Sequence, residues 1–387
     1  MSHRWFIPTA PVLVTALALL AACGGGERRE QGPIRVGSIL SVTGGVAFIG
    51  DPMLKTLQLY VERINAQGGV DGRPVELVHY DDASDAAKAN AFAKRLIESD
   101  EVDLIIGPTT TGAALAILPL VERAGVPMLA LCGGVVVVEP VRKWAFKIPV
   151  SDRMSIERDW EDMRARGITR VAILSETTGL GQSSLKEADG TAGRHGITIL
   201  ARETYGQKDS DVTPQLTRLR NVRGVQAILI LGSGQGAVLA TRNFHQLGIE
   251  LPLYHTHGVV SNEFIRLAGA AAEGARLSTT ALVLGERLAS DDPVRRIVLD
   301  YVRVYRERYG EEPAPYGGYA YDALMIAVEA IRKAGGTDRA KVRDAIEGIS
   351  YVGTQGTTTM SPTDHIGLPI AALRMVEIRK GAWVPVE

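Results

Sequence analysis

"VDLIIGPTTTGAALAILPLVERAGVPMLAL", residues 102–131, reads as strand, turn, helix and strand. Val102 to Ile106 is almost continuously aliphatic, the composition of a strand covered on both faces, and Gly107-Pro108 ends it. Residues 111–123 space their apolar side chains as a helix does, and 126–131 return to a strand. That succession is a βαβ unit, which places its two strands parallel and predicts an α/β fold. Three threonines stand at the turn, with no lysine among them. A phosphate loop would need Gly-Lys-Ser/Thr there, and the chain has Gly112-Ala113-Ala114. Two readings of the stretch remain. It is an uncharged donor cluster at a helix N-terminus, suited to a small anion such as a carboxylate, or Thr109 or Thr110 merely caps the helix.

Outward from this unit the alternation continues. Before it come "IRVGSIL" (34–40), a helical stretch 51–67, "PVELVHY" (74–80) and a second helical stretch 84–98. After it the pattern restarts with "RVAILSE" (170–176), "ITILARETY" (197–205), "VQAILILG" (225–232) and "LPLYHTH" (251–257), with helical stretches between. "HYDDASD" (79–85) leads through a helix to "VDLIIG" much as "GQKDSD" (206–211) leads to "VQAILILG", and Asp85 and Asp211 stand where helix N-caps belong. A chain of 387 residues also exceeds the size at which one core keeps growing. The expectation is two Rossmann-like lobes with parallel sheets.

Open α/β sheets bind ligands beyond the carboxyl ends of their strands. Those ends offer Thr43-Gly44-Gly45, Thr109-Thr110-Thr111 and Cys132-Gly133-Gly134 in the first half. In the second they offer Glu176 to Gly181, Ser233 to Gly236 and His255-Thr256-His257. If the halves face each other, these six loops line one cleft of uncharged donors, with no counter-cation.

Net charge is −1 with lysine and arginine dispersed, and aromatics are 5% of the residues. This composition gives no electrostatic footprint for nucleic acid or an anionic membrane, and no stacking platform. At the N-terminus, Arg4, an apolar run from Val12 to Leu20 and Leu20-Ala21-Ala22-Cys23 form an export signal, 1–22, too short to span a bilayer comfortably. "GGGERREQGP" follows with the composition of a tether, 23–33. Only Cys132 remains beyond Cys23, so no disulfide can form in the folded part, and no later segment reaches the roughly 18 apolar residues of a membrane helix.

Catalytic motifs are absent from the pattern. "GSGQGA" (232–237) matches a relaxed dinucleotide fingerprint, but the next strand ends in His257 where a ribose-binding acid is needed, so no cofactor is expected. His255 and His257, two apart on a strand, would share a face as a metal pair requires, yet no third ligand is nearby in sequence, so no metal is expected. Asp81-Asp82 ends a strand and is best explained as solvated caps. Cys132 has no adjacent base and there is no Gly-x-Ser-x-Gly elbow, so no enzyme is expected.

The stretches 34–85 and 102–131, with "DVTPQLTRLR" (211–220), "FIRLAGAAAEGARL" (264–277) and "YGGYAYDALMIAVEAIRKAG" (316–335), together resemble the solute-binding proteins of bacterial branched-chain amino acid ABC transporters. The resemblance implies a type I periplasmic-binding fold, two lobes joined by three hinge crossings that close on a ligand. It places the first lobe at about 34–149 plus 281–353 and the second at about 150–280 plus 354–387. It implies a monomer that delivers its ligand to ABC permease subunits, and it likens Leu20-Ala21-Ala22-Cys23 to a lipobox. Cys23 would then carry the lipid of a periplasmic or cell-surface lipoprotein; otherwise the segment is a plain secretory peptide with Cys23 incidental.

By the same resemblance the ligand carboxylate meets Thr110-Thr111-Gly112 and lies near Cys132-Gly133-Gly134. Phe48, Tyr316 and Tyr319 are candidate apolar contacts that could equally be core. His257 stands where the family usually has an acid for the ligand's ammonium. Gly134 replaces a common threonine, and Leu180 and Ser233 replace frequent tyrosines. A carboxylate without an ammonium, such as an aromatic or keto acid, therefore fits better than a branched-chain amino acid. Charge-assisted hydrogen bonds contribute roughly 1.5–3 kcal/mol each against about 8 kcal/mol for micromolar affinity, so apolar burial must supply the remainder. The same fold also serves ligand-sensing receptors, and the residues do not choose between the two.

Overall fold

Strands form where the sequence is aliphatic and bounded by turn residues, and the two sheets repeat one connectivity. The computed structural model describes residues 1–3 and 32–386. The export signal, the lipidation at Cys23 and nearly all of the tether fall outside the described residues.

The first sheet holds β1 (Ile34–Leu40), β2 (Val75–Asp81), β3 (Leu104–Ile106), β4 (Met128–Ala130) and β5 (Ala145–Lys147), all parallel in the order β2-β1-β3-β4-β5. The second holds β6 (Arg170–Glu176), β7 (Thr198–Tyr205), β8 (Ala227–Leu231), β9 (Leu253–His255) and β10 (Arg276–Thr279), parallel in the corresponding order β7-β6-β8-β9-β10. A small hairpin, β11 (Ser350–Val352) and β12 (Thr357–Thr359), stands apart, and β13 (Arg374–Arg379) and β14 (Ala382–Pro385) extend the second sheet antiparallel beyond β10.

Helices cover both faces of each sheet, as parallel connections require. In the first half these are α1 (Ala47–Ala66), α2 (Ala86–Glu98) and α3 (Thr111–Ala124). In the second they are α4 (Asp152–Ala165), α5 (Gly179–Ala192), α6 (Thr213–Arg220), α7 (Gly234–Gln246) and α8 (Asn262–Ala268). The later helices α9 (Arg295–Tyr309), α10 (Pro315–Ala334) and α11 (Arg339–Glu347) return to the first half, where α10 packs along α1. Alternation within short strands divides the core: Leu104 and Ile106 belong to the cluster containing α1 and α10, while Ile105 between them faces α2 and α3.

The caps of the internal repeat differ by one residue. Asp85 is the N-cap of α2 and accepts from Ala87 N–H at 2.7 Å. Asp211 stands one residue ahead of the N-cap of α6, yet accepts from Thr213 N–H at 2.9 Å. Asp81 behaves as a turn cap, taking Thr43 and Ala83 N–H groups. Asp82 corrects the solvated reading: it is fully buried, and its Oδ1 accepts from the Ser41 hydroxyl at 2.6 Å and Ser84 N–H at 2.9 Å.

Three strands of chain pass between the sheets: Lys147 to Asp152, Thr279 to Ala281, and the return from α11 to β13. Gln355 ties two of them, donating to Ile148 O at 3.1 Å and accepting Val150 N–H at 3.2 Å. Asp322 on α10 holds the same turn by accepting Thr354 N–H at 2.8 Å. The stretch 357–368 lies against the first half, since Lys147 N–H bonds His365 O and Ile366 and Leu368 join the α2/α3 core. Among the described residues no helix is long and apolar enough to cross a membrane.

Candidate functional site

The carboxyl ends of both sheets open on one cavity of about 210 Å³. From the first half its walls are Val46, Ile49, Ser84, Ala86, Thr109 to Ala113, Leu131, Gly133 and Pro149; from the second, Thr178 to Leu180, Gln207, Ser233, His257 and Gly258. Tyr316 and Tyr319, one turn apart at the start of α10, complete it. Each wall residue follows a strand or opens a helix, which is what parallel strands feeding helices produce.

Helix N-termini face the cavity, those of α3, α5 and α7 among them. Thr110 is the N-cap of α3, and its Oγ1 accepts Ala113 N–H at 3.2 Å. Capping uses the oxygen as acceptor, so the hydroxyl proton stays available to a ligand, as do the first amides of the helix at Thr111 and Gly112, which have no intrahelical acceptor. The two readings of the threonine turn are therefore compatible. Thr111 Oγ1 accepts Gly134 N–H at 3.1 Å, and Thr109 Oγ1 accepts Ser41 N–H at 3.1 Å. On the opposite wall Thr178 caps α5 through Gly181 N–H, whereas Ser233 at the head of α7 makes no side-chain cap bond.

The halves touch around the cavity. Gln235 N–H bonds Gly45 O across it at 3.3 Å. Gly179 packs on Gly112 so closely that a Cβ there would lie 2.8 Å from Gly112 N, and a Cβ on Gly133 would lie 2.7 Å from His257 Nε2. Both glycines are needed for approach, since any side chain would hold the two walls apart.

Of the residues expected at the site, Thr110, Thr111, Gly112, Gly133, Leu180, Ser233, His257 and Tyr319 line the cavity. Three do not. Cys132 points into the α2/α3 core, where burial pushes its thiol up to about 11. Gly134 sits behind Thr111 rather than beside the cavity. Phe48, in the first turn of α1, lines a separate cleft with Asp51 and Trp383. His255 and His257 are not a pair on one strand face. β9 ends at His255, which bonds the Thr241 hydroxyl at 3.1 Å, and His257 lies in the following turn. Ser84 and Gln207 were missed because the turns after β2 and β7 carry no glycine cluster; Tyr316 carried the same signal as Tyr319.

Among the described residues no ionised side chain lines the cavity. Burial first, and then the charge of Lys147, hold the His257 imidazole down to about 3, so it is neutral at physiological pH. Behind the second wall lies Glu176, fully buried at the end of β6; its Oε2 accepts from the Thr178 hydroxyl at 3.2 Å and Ser233 N–H at 3.4 Å. Burial outweighs those two bonds and raises the carboxyl to about 7. Behind the first wall lies Lys147, which corrects the expectation of a site with no cation near it.

A family model described as periplasmic binding protein matches residues 33–382. The chain belongs to the periplasmic binding protein family. Members of this family are solute-binding proteins, not enzymes, and the family is extracytoplasmic. This periplasmic binding protein is 25% identical over 335 residues to the leucine-, isoleucine-, valine-, threonine- and alanine-binding protein of Pseudomonas aeruginosa, covering 84% of this chain and 83% of that one. Its structure is similar to an extracellular ligand-binding receptor of Rhodopseudomonas palustris HaA2, with TM-score 0.86, 27% identity and coverage of 92% and 100% of the two chains. The same fold is found in a solute binding protein of an ABC transporter from Rhodopseudomonas palustris BisB5 in complex with 3,4-dihydroxybenzoic acid, with TM-score 0.78, 22% identity and coverage of 92% and 96%. The α/β fold with mostly parallel sheets is that of type I periplasmic binding proteins.

Proposed function

We propose that the chain is the solute-binding component of an ABC importer of the branched-chain amino acid type, taking a small carboxylate-bearing molecule into the cavity between two lobes. The lobes are about 34–149 with 281–353 and about 150–280 with 354–387, the stretch to Leu368 lying along the first. A monomer anchored through Cys23 presents the ligand to permease subunits.

One observation carries the ligand class: the cavity is faced by helix N-termini, those of α3, α5 and α7 among them, and by hydroxyl and amide donors, with no ionised side chain among the described wall residues. Aligned N–H groups stabilise a negative charge, and no described wall side chain carries a negative charge for a positive one, Glu176 behind the wall keeping its proton up to about pH 7. His257, neutral and buried, offers an ammonium no countercharge. An acid without an amino group, aromatic or keto, therefore fits better than leucine. The curated relative is named for aliphatic amino acids and a neighbour of the same fold holds a hydroxylated benzoic acid, so both classes belong in the test. Calorimetric titration with leucine, valine, benzoate and 4-methylpentanoate decides it: tighter binding of the amine-free acids is expected, and tight leucine binding with no response to the other acids overturns it.

A further inference from the structure

We propose that Lys147 is the counter-cation of the bound anion, held one peptide behind the cavity wall, and that it sets a preference for a charged carboxylate over an uncharged ligand of the same shape. This rests on the reading of the cavity as a carboxylate site.

Lys147 ends β5 at the first crossing between the sheets and is fully buried. Its Nζ donates to Pro149 O at 2.6 Å and Val150 O at 2.8 Å. Pro149 is itself a wall residue, so the ammonium and the cavity share one peptide unit. From the opposite half, the charge also acts on His257, another wall residue. The cavity thus lies within the lysine's field on two sides.

Two carbonyls solvate an ammonium but do not neutralise it, and among the described residues no carboxylate is ion-paired with Nζ. The groups facing it come from four elements. Cys132, after β4, keeps its proton. Asp152, at the start of α4, spends Oδ1 on Val135 N–H and Arg153 N–H; its charge favours the ammonium without forming an ion pair with it, and burial pushes its carboxyl up. His257 is neutral. Asp322 reaches the crossing only through Gln355, which bonds Ile148 and Val150. A buried cation left this incompletely matched is costly to the apo protein, and an anion arriving in the same low-dielectric region relieves that cost. The coupling is reciprocal: if the lysine favours the anion, the anion raises the lysine's affinity for its proton. Burial holds Lys147 down to about 8 before the anion arrives, so binding takes up a proton above that pH.

The test is calorimetry on the wild type and Lys147→Met, using benzoate and 4-methylpentanoate with their primary amides, from about pH 7 to 9.5, where neither acid titrates. At pH 7 the substitution is expected to weaken the carboxylate by about tenfold or more and the amide far less. Glu176, bonded to the wall residues Thr178 and Ser233, titrates near 7, so the pH series is run in a Glu176→Gln background. There carboxylate affinity falls and proton uptake grows as pH rises through 8, and both trends vanish when Lys147→Met is added. Equal loss for acid and amide would mean that the lysine only tethers the crossing, and would overturn the inference, as would unchanged carboxylate binding. If Lys147→Met does not fold, the profile of Glu176→Gln with Lys147 intact decides alone, a flat affinity without proton uptake overturning the inference. Failure of the wild type to bind any carboxylate overturns the carboxylate reading as well.

Discussion

At Glu176, burial raises the carboxyl from 4.5 to about 7 although two donors reach its Oε2. The native state therefore holds that proton more tightly than the unfolded chain does. The resulting stability is fully present below about pH 4.5 and is lost as pH rises through about 7, a swing of roughly 3 kcal/mol. Glu176→Gln keeps the shape and removes the ionisation. Urea denaturation at pH 5 and pH 8 is expected to show the variant gaining on the wild type by up to that amount at the higher pH; a constant difference would contradict the assignment. None of this was legible in "RVAILSE", which offers Glu176 only as the start of a cleft-lining loop. The chain neighbours of Glu176 give no sign that Ser233 and Tyr205 close over it, because burial at a strand end is decided by what the following loops bring back. The same holds for Asp82 and for Lys147, both polar residues next to turns that the fold encloses completely.

At the scale of elements, the aliphatic runs translated directly into strands because both faces of a parallel sheet are covered, leaving no polar alternation to confuse the pattern. The helices were legible where a cap announced them, as Asp85 and Thr110 do. The start of α1 was not: its N-cap is Val46, with no side-chain cap bond, and the helix begins at Ala47 rather than near 51. Thr110 shows how one cap serves two purposes. Thr110→Ala is expected to cost about 1 kcal/mol of stability through the lost cap and a further roughly 1.5–3 kcal/mol of carboxylate affinity through the lost donor. Thr110→Ser should restore both. Thermal denaturation with calorimetric titration of the three proteins separates the effects, and unchanged affinity in the alanine variant would place the ligand elsewhere.

Across the whole molecule, the cavity exists only because the two walls approach within a glycine's width. Gly179 opens α5, and the atoms that crowd a Cβ there are those of Gly112 and Thr111 in the other half. Gly179→Ala should therefore hold the two walls apart and prevent full closure. Carboxylate affinity is expected to fall by about tenfold or more, and small-angle scattering should lack the ligand-induced contraction expected of the wild type. Contraction of wild-type size in the variant would show that this contact does not limit closure. Two lobes could be inferred from the repeat in sequence, but their mutual approach could not, since it depends on glycines from distant loops meeting. Enclosure by both halves also has a kinetic corollary. A molecule touched by both walls is released as they part, so solutes that draw the walls together more strongly should hold them closed longer and escape more slowly.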